Sequence, residues 1–135
     1  MINRKLILFV IVATLLLISG CTYGSYSTLK SVENNTPNMM SMSYERFNGY
    51  KATSIKVKEA NPIDVNVDIV SNKGKLDISI TDKDGESVYK GKDVPTSSFV
   101  VTLDKAGDYK LKVQGHKHSG SYKITWGKAD EDNDK

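Results

Sequence analysis

From Tyr44 onward the chain is a succession of short runs in which apolar and polar residues alternate. Ile55 and Val57 alternate with Lys56 and Lys58. Ile63, Val65, Val67 and Ile69 alternate with Asp64, Asn66 and Asp68, and Leu76, Ile78 and Ile80 with Asp77 and Ser79. Val88 and Tyr89 make a short fourth run and Phe99, Val101 and Leu103 a fifth. Tyr109, Leu111 and Val113 form a sixth, with Lys110 and Lys112 facing out, and Tyr122, Ile124 and Trp126 a seventh. A period of two places one side of a strand in a core and the other in water. Turn-forming residues separate the runs at Asn61-Pro62, Ser71-Asn72-Lys73-Gly74, Asp82-Lys83-Asp84-Gly85, Gly91 to Ser97, Asp104-Lys105-Ala106-Gly107 and Gly115 to Gly120. None of these runs has a helical period. The pattern predicts an all-β fold over residues 44–127, an antiparallel β-sandwich of jelly-roll or Greek-key type with seven to eight strands.

The head of the chain has a different texture. Met1 to Lys5 is short and basic, and Leu6 to Ile18 follows with no charge, Pro or Gly. As a helix that stretch would reach about 20 Å at ~1.5 Å per residue. A hydrocarbon core of ~30 Å needs about twenty residues, so the stretch reads as the apolar part of a secretory leader. Arg4 and Lys5 keep its start on the cytoplasmic side and send the rest outward. Ile18-Ser19-Gly20-Cys21 resembles the lipobox of bacterial lipoproteins. That resemblance implies removal of residues 1–20 and attachment of a diacylglyceryl group, as in palmitate-bearing lipoproteins, to the thiol of Cys21. The expected location is the cell membrane, on its extracytoplasmic face. Two acyl chains, at ~0.8 kcal/mol per buried CH₂, would hold the protein there durably.

Between leader and alternating region, residues 21–43 keep no period and are polar, which reads as the lipidated cysteine followed by a flexible tether. Met39, Met40 and Met42 close it, as the edge of a core or as an oily surface patch. Residues 128–135, with Asp130, Glu131, Asp132 and Asp134, read as an acidic disordered tail. Cys21 is the only cysteine, so no disulfide forms within the chain and packing alone must hold the fold. The formal charge is +3. Removing the leader leaves 17 basic against 16 acidic residues, and residues 22–129 carry 16 against 12. That surplus mildly favours anionic lipid or wall polymer, although a solvated surface is the simpler reading. Without a phosphate loop or nucleotide fingerprint, no nucleic-acid partner is expected.

Candidate chemistry is sparse. Asp82, Asp84, Glu86 and Asp93 are the best calcium candidates, since calcium takes six to eight oxygens at ~2.4 Å. Gly85, however, stands fourth from Asp82, where a calcium loop of the EF-hand kind needs its glycine sixth, and Asp-Gly equally serves a hairpin turn. His116 and His118 could share zinc or copper but show no third ligand. Ser119 lacks both the Gly-x-Ser-x-Gly elbow and an acid to orient a base. No cofactor, resident metal or enzymatic activity is therefore expected. Phe99, Tyr109, Tyr122 and Trp126 fall on the inward parity. Tyr89, next to an inward Val88, should face out as a lone ring for sugar stacking. Asp64, Asn66 and Asp68 are expected opposite Lys56 and Lys58 on a wet face.

Leu103-Asp104-Lys105-Ala106-Gly107-Asp108-Tyr109-Lys110-Leu111-Lys112-Val113, then Gly120-Ser121-Tyr122-Lys123-Ile124, resembles the closing strands of bacterial pre-peptidase C-terminal (PPC-like) sandwiches. The chain also resembles small lipoproteins of low-GC Gram-positive bacteria. Asn61-Pro62 departs from the pattern, which more often has Gly before the second strand. The resemblance implies a non-catalytic accessory module and carries no set of functional residues. Tyr109, beside the Gly107 turn, would be a corner residue whose hydroxyl ties back to the backbone. The reading is a lipid-anchored binding module for cell-wall or other carbohydrate polymer, or else for a protein partner at the cell surface.

Overall fold

The structure, a computed structural model, describes residues 22–129, and every regular element among them is a β-strand. The expected leader, Cys21 and the acidic residues from Asp130 lie outside the described residues. The strands are β1 (Tyr23–Leu29), β2 (Val32–Thr36), β3 (Met39–Val57), β4 (Ile63–Thr81), β5 (Ser87–Gly91), β6 (Ser97–Leu103) and β7 (Gly107–Lys128). All pair antiparallel, in the order β1-β3-β7-β4-β5, with β2 also on β3 and β6 also on β4.

Three strands are too long for one layer. β7 has 22 residues, roughly 70 Å if straight at ~3.3 Å per residue. Instead β3, β4 and β7 bend at a common level, where the ladder register shifts at Tyr44–Gly49 and Ser71–Lys75 opposite Gly115–Gly120. Before the bend β3 runs with β2, and beyond it with β1. β4 likewise leaves β6 and takes up β5. The result is an antiparallel sandwich whose two layers are halves of one sheet. The first layer holds β2, β6 and residues 39–44, 63–71 and 120–128; the second holds β1, β5 and residues 47–57, 75–81 and 107–116.

The all-β antiparallel expectation holds, but its boundaries change. Ser71–Gly74 and Gly115–Gly120 are bends within continuous strands, not a turn and a loop. Turn-forming residues mark a change of direction, and a bulge changes direction without reversing the chain. Gly120, at φ +145°, could not carry a Cβ, which would run into the Val70 carbonyl oxygen. Residues 22–43 contain β1, β2 and the start of β3, so the expected tether belongs to the sandwich. Its strands lack apolar alternation because β2 turns Glu33 and Asn35 toward the interior, opposite the buried Met42 and Met40.

One apolar cluster fills the space between the layers, including Met40, Met42, Phe47, Val67, Leu76, Ile80, Leu111, Val113 and Ile124. Met40 and Met42 are thus core. The Tyr109 hydroxyl donates to the Lys105 carbonyl at 2.6 Å, the corner bond the sequence suggests. Each side of the sandwich is closed differently. On one, Tyr89 of β5 packs against Phe99 of β6 with ring centroids 5.2 Å apart. Tyr89 pairs with the inward Ile80, so Tyr89 faces in and Val88 out, the reverse of the expected parity. On the other, Lys51 of β3 has a side chain only 4% exposed and pairs with Glu33 of β2. Its ammonium lies 4.6 Å from the Tyr26 ring centroid and donates to the Tyr26 hydroxyl at 3.4 Å. Asn35 donates its amide to the same carboxylate. Burial lowers the Lys51 pKa. An inward charge on an edge strand also discourages pairing with another chain.

Glu33→Gln leaves the buried ammonium without its counter-ion, and a urea titration should show a loss of about 2 kcal/mol, less than for a fully buried pair because Glu33 keeps some contact with water. The double variant Lys51→Met, Glu33→Met should lose less than Glu33→Gln alone. Among the described residues the buried Tyr122 hydroxyl has no hydrogen-bond partner. Tyr122→Phe should therefore raise the urea midpoint, by about 1 kcal/mol in stability.

Candidate functional site

A polar relay sits where the long strands bend. The Tyr44 hydroxyl lies 2.6 Å from His118 Nδ1, and His118 Nε2 lies 2.9 Å from Ser71 Oγ. One residue from each of β3, β7 and β4 is thereby joined. The Ser71 N–H donates to Thr96 Oγ1 at 2.9 Å, which ties in the segment before β6. His118 is fully buried, and burial lowers its pKa, with the Asp93 charge pulling the other way. Two histidines at i, i+2 of a regular strand would share a face. Lys117 between them, at φ +49°, twists the backbone so that they do not. His116 points outward and places Nε2 2.9 Å from Asp77 Oδ2. The two histidines, weighed as a zinc or copper pair, are split.

The serine–histidine distance is that of a nucleophile and its base, but the chemistry is different. Nδ1 faces a neutral phenol, and burial raises the Tyr44 pKa well above its usual value. A neutral imidazole donates from one ring nitrogen and accepts at the other, and here both are engaged, Nδ1 by the Tyr44 hydroxyl and Nε2 by Ser71. Ser119 has no part in the relay. The arrangement is a clamp across three strands.

The acidic candidates are also dispersed. Asp82 Oδ1 accepts the N–H groups of Asp84 and Glu86, each at 2.9 Å, and Gly85 at φ +82° completes a closed turn between β4 and β5. Asp93 lies beyond the far end of β5, its N–H donating to Asp77 Oδ1 at 2.9 Å. Asp77 and Asp82 are five strand positions apart, roughly 17 Å. Asp82, Asp84, Glu86 and Asp93 therefore do not converge on one calcium ion. Asp64 and Asp68 accept from Thr102 at 2.7 Å and Ser98 at 2.6 Å, and Asp68 stands opposite Lys123. Of the lysines expected as their partners, Lys56 lies on β3 in the other layer, opposite Asp108, and Lys58 lies just beyond β3, bridged to Asn61.

A second organised set of polar and aromatic groups is on the outer face of the second layer. Strand register lines them up in two cross-strand rows. One row runs Ser25, Tyr50, Gln114, Asp77; the next runs Tyr23, Ala52, Lys112, Ser79, Lys90. Four strand spacings make the second row about 19 Å long. Tyr23 is 47% exposed. Lys112 Nζ lies 4.9 Å from the Tyr50 ring centroid, and Lys110 Nζ lies 5.8 Å from that of Tyr23. At the β5 end the face sinks into a hollow of about 340 Å³, lined by Asp77, Ser79, Lys90, Lys92, Lys112 and Gln114. Burial works against ionisation of Asp77, but the Asp93 N–H, the His116 ring and Lys92 outweigh it and hold the carboxyl below its usual pKa. The outward parity of Lys110 and Lys112 is legible in the sequence. Tyr23 was hidden in the supposed tether, and Tyr50 lies just before the first alternating run.

No family model matches the chain, and no curated protein matches it. Among solved structures it is similar to the enzymatically active domain of tailspike protein 4 of bacteriophage CBA120, with 14% identity and a TM-score of 0.47, over 83% of this chain and 20% of that one. A family GH115 4-O-methyl-α-glucuronidase is similar at 7% identity and TM-score 0.46, over 82% and 18% of the two chains. A carbohydrate binding module of the Cellvibrio mixtus lichenase 5A, in complex with cellotriose, is similar at 13% identity and TM-score 0.42, over 83% and 89%. The chain thus spans about a fifth of the first two proteins. Such identities and scores transfer no residue's role.

The clamp has a pH signature. An unfolded histidine titrates near ~6.5, and burial places the folded value of His118 lower, so the unfolded chain binds more protons. Stability should be complete above pH ~6.5 and be lost as pH falls through the folded pKa. Urea unfolding at a series of pH values should show that slope, and His118→Gln should flatten it. Asp77, a carboxyl with a depressed pKa, acts in a separate window, below about pH 4.

Proposed function

We propose that this chain is a non-catalytic module that holds a cell-wall or other carbohydrate polymer along the outer face of the second layer. The observation that carries the reading is the pair of cross-strand rows. They set Tyr23 and Tyr50 beside the hydroxyls of Ser25 and Ser79, the amide of Gln114 and the carboxylate of Asp77. A sugar or polyol offers C–H faces for aromatic rings and hydroxyls for polar groups, and this face supplies both kinds of partner. Strands hold the groups in place before any ligand arrives, so little ordering is needed on binding. A row of about 19 Å suits a chain of linked units better than a single one.

The same proposal includes a lipid on Cys21 at the extracytoplasmic face of the membrane. Its support is the leader and the Ile18-Ser19-Gly20-Cys21 sequence. β1 begins at Tyr23, two residues beyond Cys21, a reach of about 7 Å. With so short a link the sandwich would sit directly against the bilayer, its Tyr23 end nearest the anchor.

The full chain in non-ionic detergent should co-sediment saturably with purified Gram-positive cell wall. Tyr50→Ala and Tyr23→Ala should each weaken binding about tenfold, near 1.4 kcal/mol, with unchanged urea midpoints. Failure of the unaltered chain to bind wall or soluble polysaccharide would refute the reading. Tyr26, Leu29 and Val32 are exposed along the β1–β2 edge, the latter two at 47% and 72%. Binding that ignores both tyrosine variants but is lost on Val32→Asp would move the contact to that edge and favour a protein partner.

A further inference from the structure

We infer that the polymer this face takes is anionic, carrying phosphodiester or carboxylate groups along its length. The inference rests on the binding reading above and narrows it. Lys90, Lys110 and Lys112 point from the face and Lys92 lines its hollow, against two carboxylates, Asp77 and, at the end of the face opposite Lys56, Asp108. Both oxygens of Asp77 are engaged, Oδ1 by the Asp93 N–H and Oδ2 by His116. Among the described residues none of these four lysines makes an ion pair.

Two of the ammonium groups have tyrosine rings as partners, Lys112 over Tyr50 and Lys110 over Tyr23. A cation over an exposed ring is held more weakly than a cation hydrogen-bonded to a phosphate or carboxylate oxygen. An anionic polymer can therefore draw both lysines off the rings. The same movement uncovers the ring faces for the C–H surfaces of the backbone units. A neutral polymer must displace the lysines and gives them no charge in return, so the face discriminates between the two. Lys110 and Lys112 stand about 7 Å apart along β7, and Lys112 and Lys90 about 10 Å apart across two strand spacings. That spread suits repeated charges and not one small ion.

An anionic bilayer offers the same charges next to the proposed anchor. The shape argues against it, because three of the four lysines line a hollow of about 340 Å³, which a flat surface of headgroups does not fill.

The test uses the full chain in non-ionic detergent, with poly(glycerol phosphate), polygalacturonate and neutral dextran as immobilised probes. At least one anionic polymer should bind about tenfold or more tightly than dextran, with an affinity that falls as salt rises. Lys112→Gln and Lys90→Gln should each weaken anionic binding several-fold, and Tyr50→Ala should weaken it as well. Lys123→Gln, on the opposite face, should leave it unchanged. Equal, tyrosine-dependent affinity for dextran and both anionic polymers would overturn the inference and leave the binding module standing. No binding to any polymer, purified wall included, would remove both. Loss of anionic binding to Lys123→Gln as much as to Lys112→Gln would reduce it to diffuse charge attraction. Complete competition by mixed micelles of phosphatidylglycerol, unaffected by Tyr50→Ala, would overturn it in favour of the membrane surface.

Discussion

A single buried imidazole joins the three strands that must turn together. β3, β4 and β7 each serve both layers, so a bend in one of them alone would break its ladders with the others. His118 meets Tyr44 on one side and Ser71 on the other at the level where all three bend. A buried imidazole with both nitrogens satisfied costs little, while one left with a bare donor or acceptor costs the full desolvation of that group. The relay therefore favours the one register in which all three residues coincide. Because side chains alternate with a period of two, a slip of one residue at the bend would send Lys112 and Gln114 into the core and bring Val113 out. The position of every group on the outer face of the second layer depends on that register.

The edges carry the same dependence to β1. This strand lies along the second half of β3, with Tyr26 over Lys51 and Tyr23 opposite Ala52. Around residue 51 the side chains of β3 point alternately to a buried ion pair and to the outer face. The contact that closes the sandwich thus also seats the strand that supplies Tyr23 and Ser25. On the far side, Tyr89 and Phe99 close the gap with aromatic surface alone. Closure by a charge pair brings a hydrogen-bonding direction with it, and that fixes the register on the side that carries Tyr23 and Ser25.

Period-two alternation made most of the core legible. The inward residues of β4, β6 and β7, the Tyr109 corner and the outward Lys110 and Lys112 all follow from it. It fails where a strand is extended but its inward side is polar, as with Glu33 and Asn35 of β2. It also cannot separate a reversal from a bend, since Asn72-Lys73-Gly74 serves either. The two histidines illustrate the cost of one left-handed residue: Lys117 places His116 in water and His118 in the core, which no spacing argument foresees. Val88 and Tyr89 take the sides opposite to those expected because Tyr89 pairs with the inward Ile80, a register that the short run does not reveal. The acidic candidates are near in sequence, yet a hairpin holds Asp82 and Asp93 at its opposite ends. Lys51 was within reach of the pattern, because it shares its parity with the inward Ile55 and Val57, but a lysine on that parity has no meaning until its counter-ion on another strand is known.

The division of polar groups says what kind of chemistry this sandwich can do. Of the interior groups with perturbed protonation, His118, Tyr44 and Lys51 are each committed to a partner that holds strands together, and the Tyr122 hydroxyl is enclosed in the core. Both nitrogens of the His118 ring are taken up, one by the phenol and one by the serine. What remains free lies on a stiff sheet: rings, hydroxyls, an amide and ammonium groups resting on rings. Such groups can exchange one partner for another with little motion. Lys112 needs only to leave the Tyr50 ring, a contact weak enough to give way and strong enough to hold the side chain over the row until something better arrives. That combination, a fixed register beneath and a few lightly held charges above, is the physical basis of the proposed polymer binding.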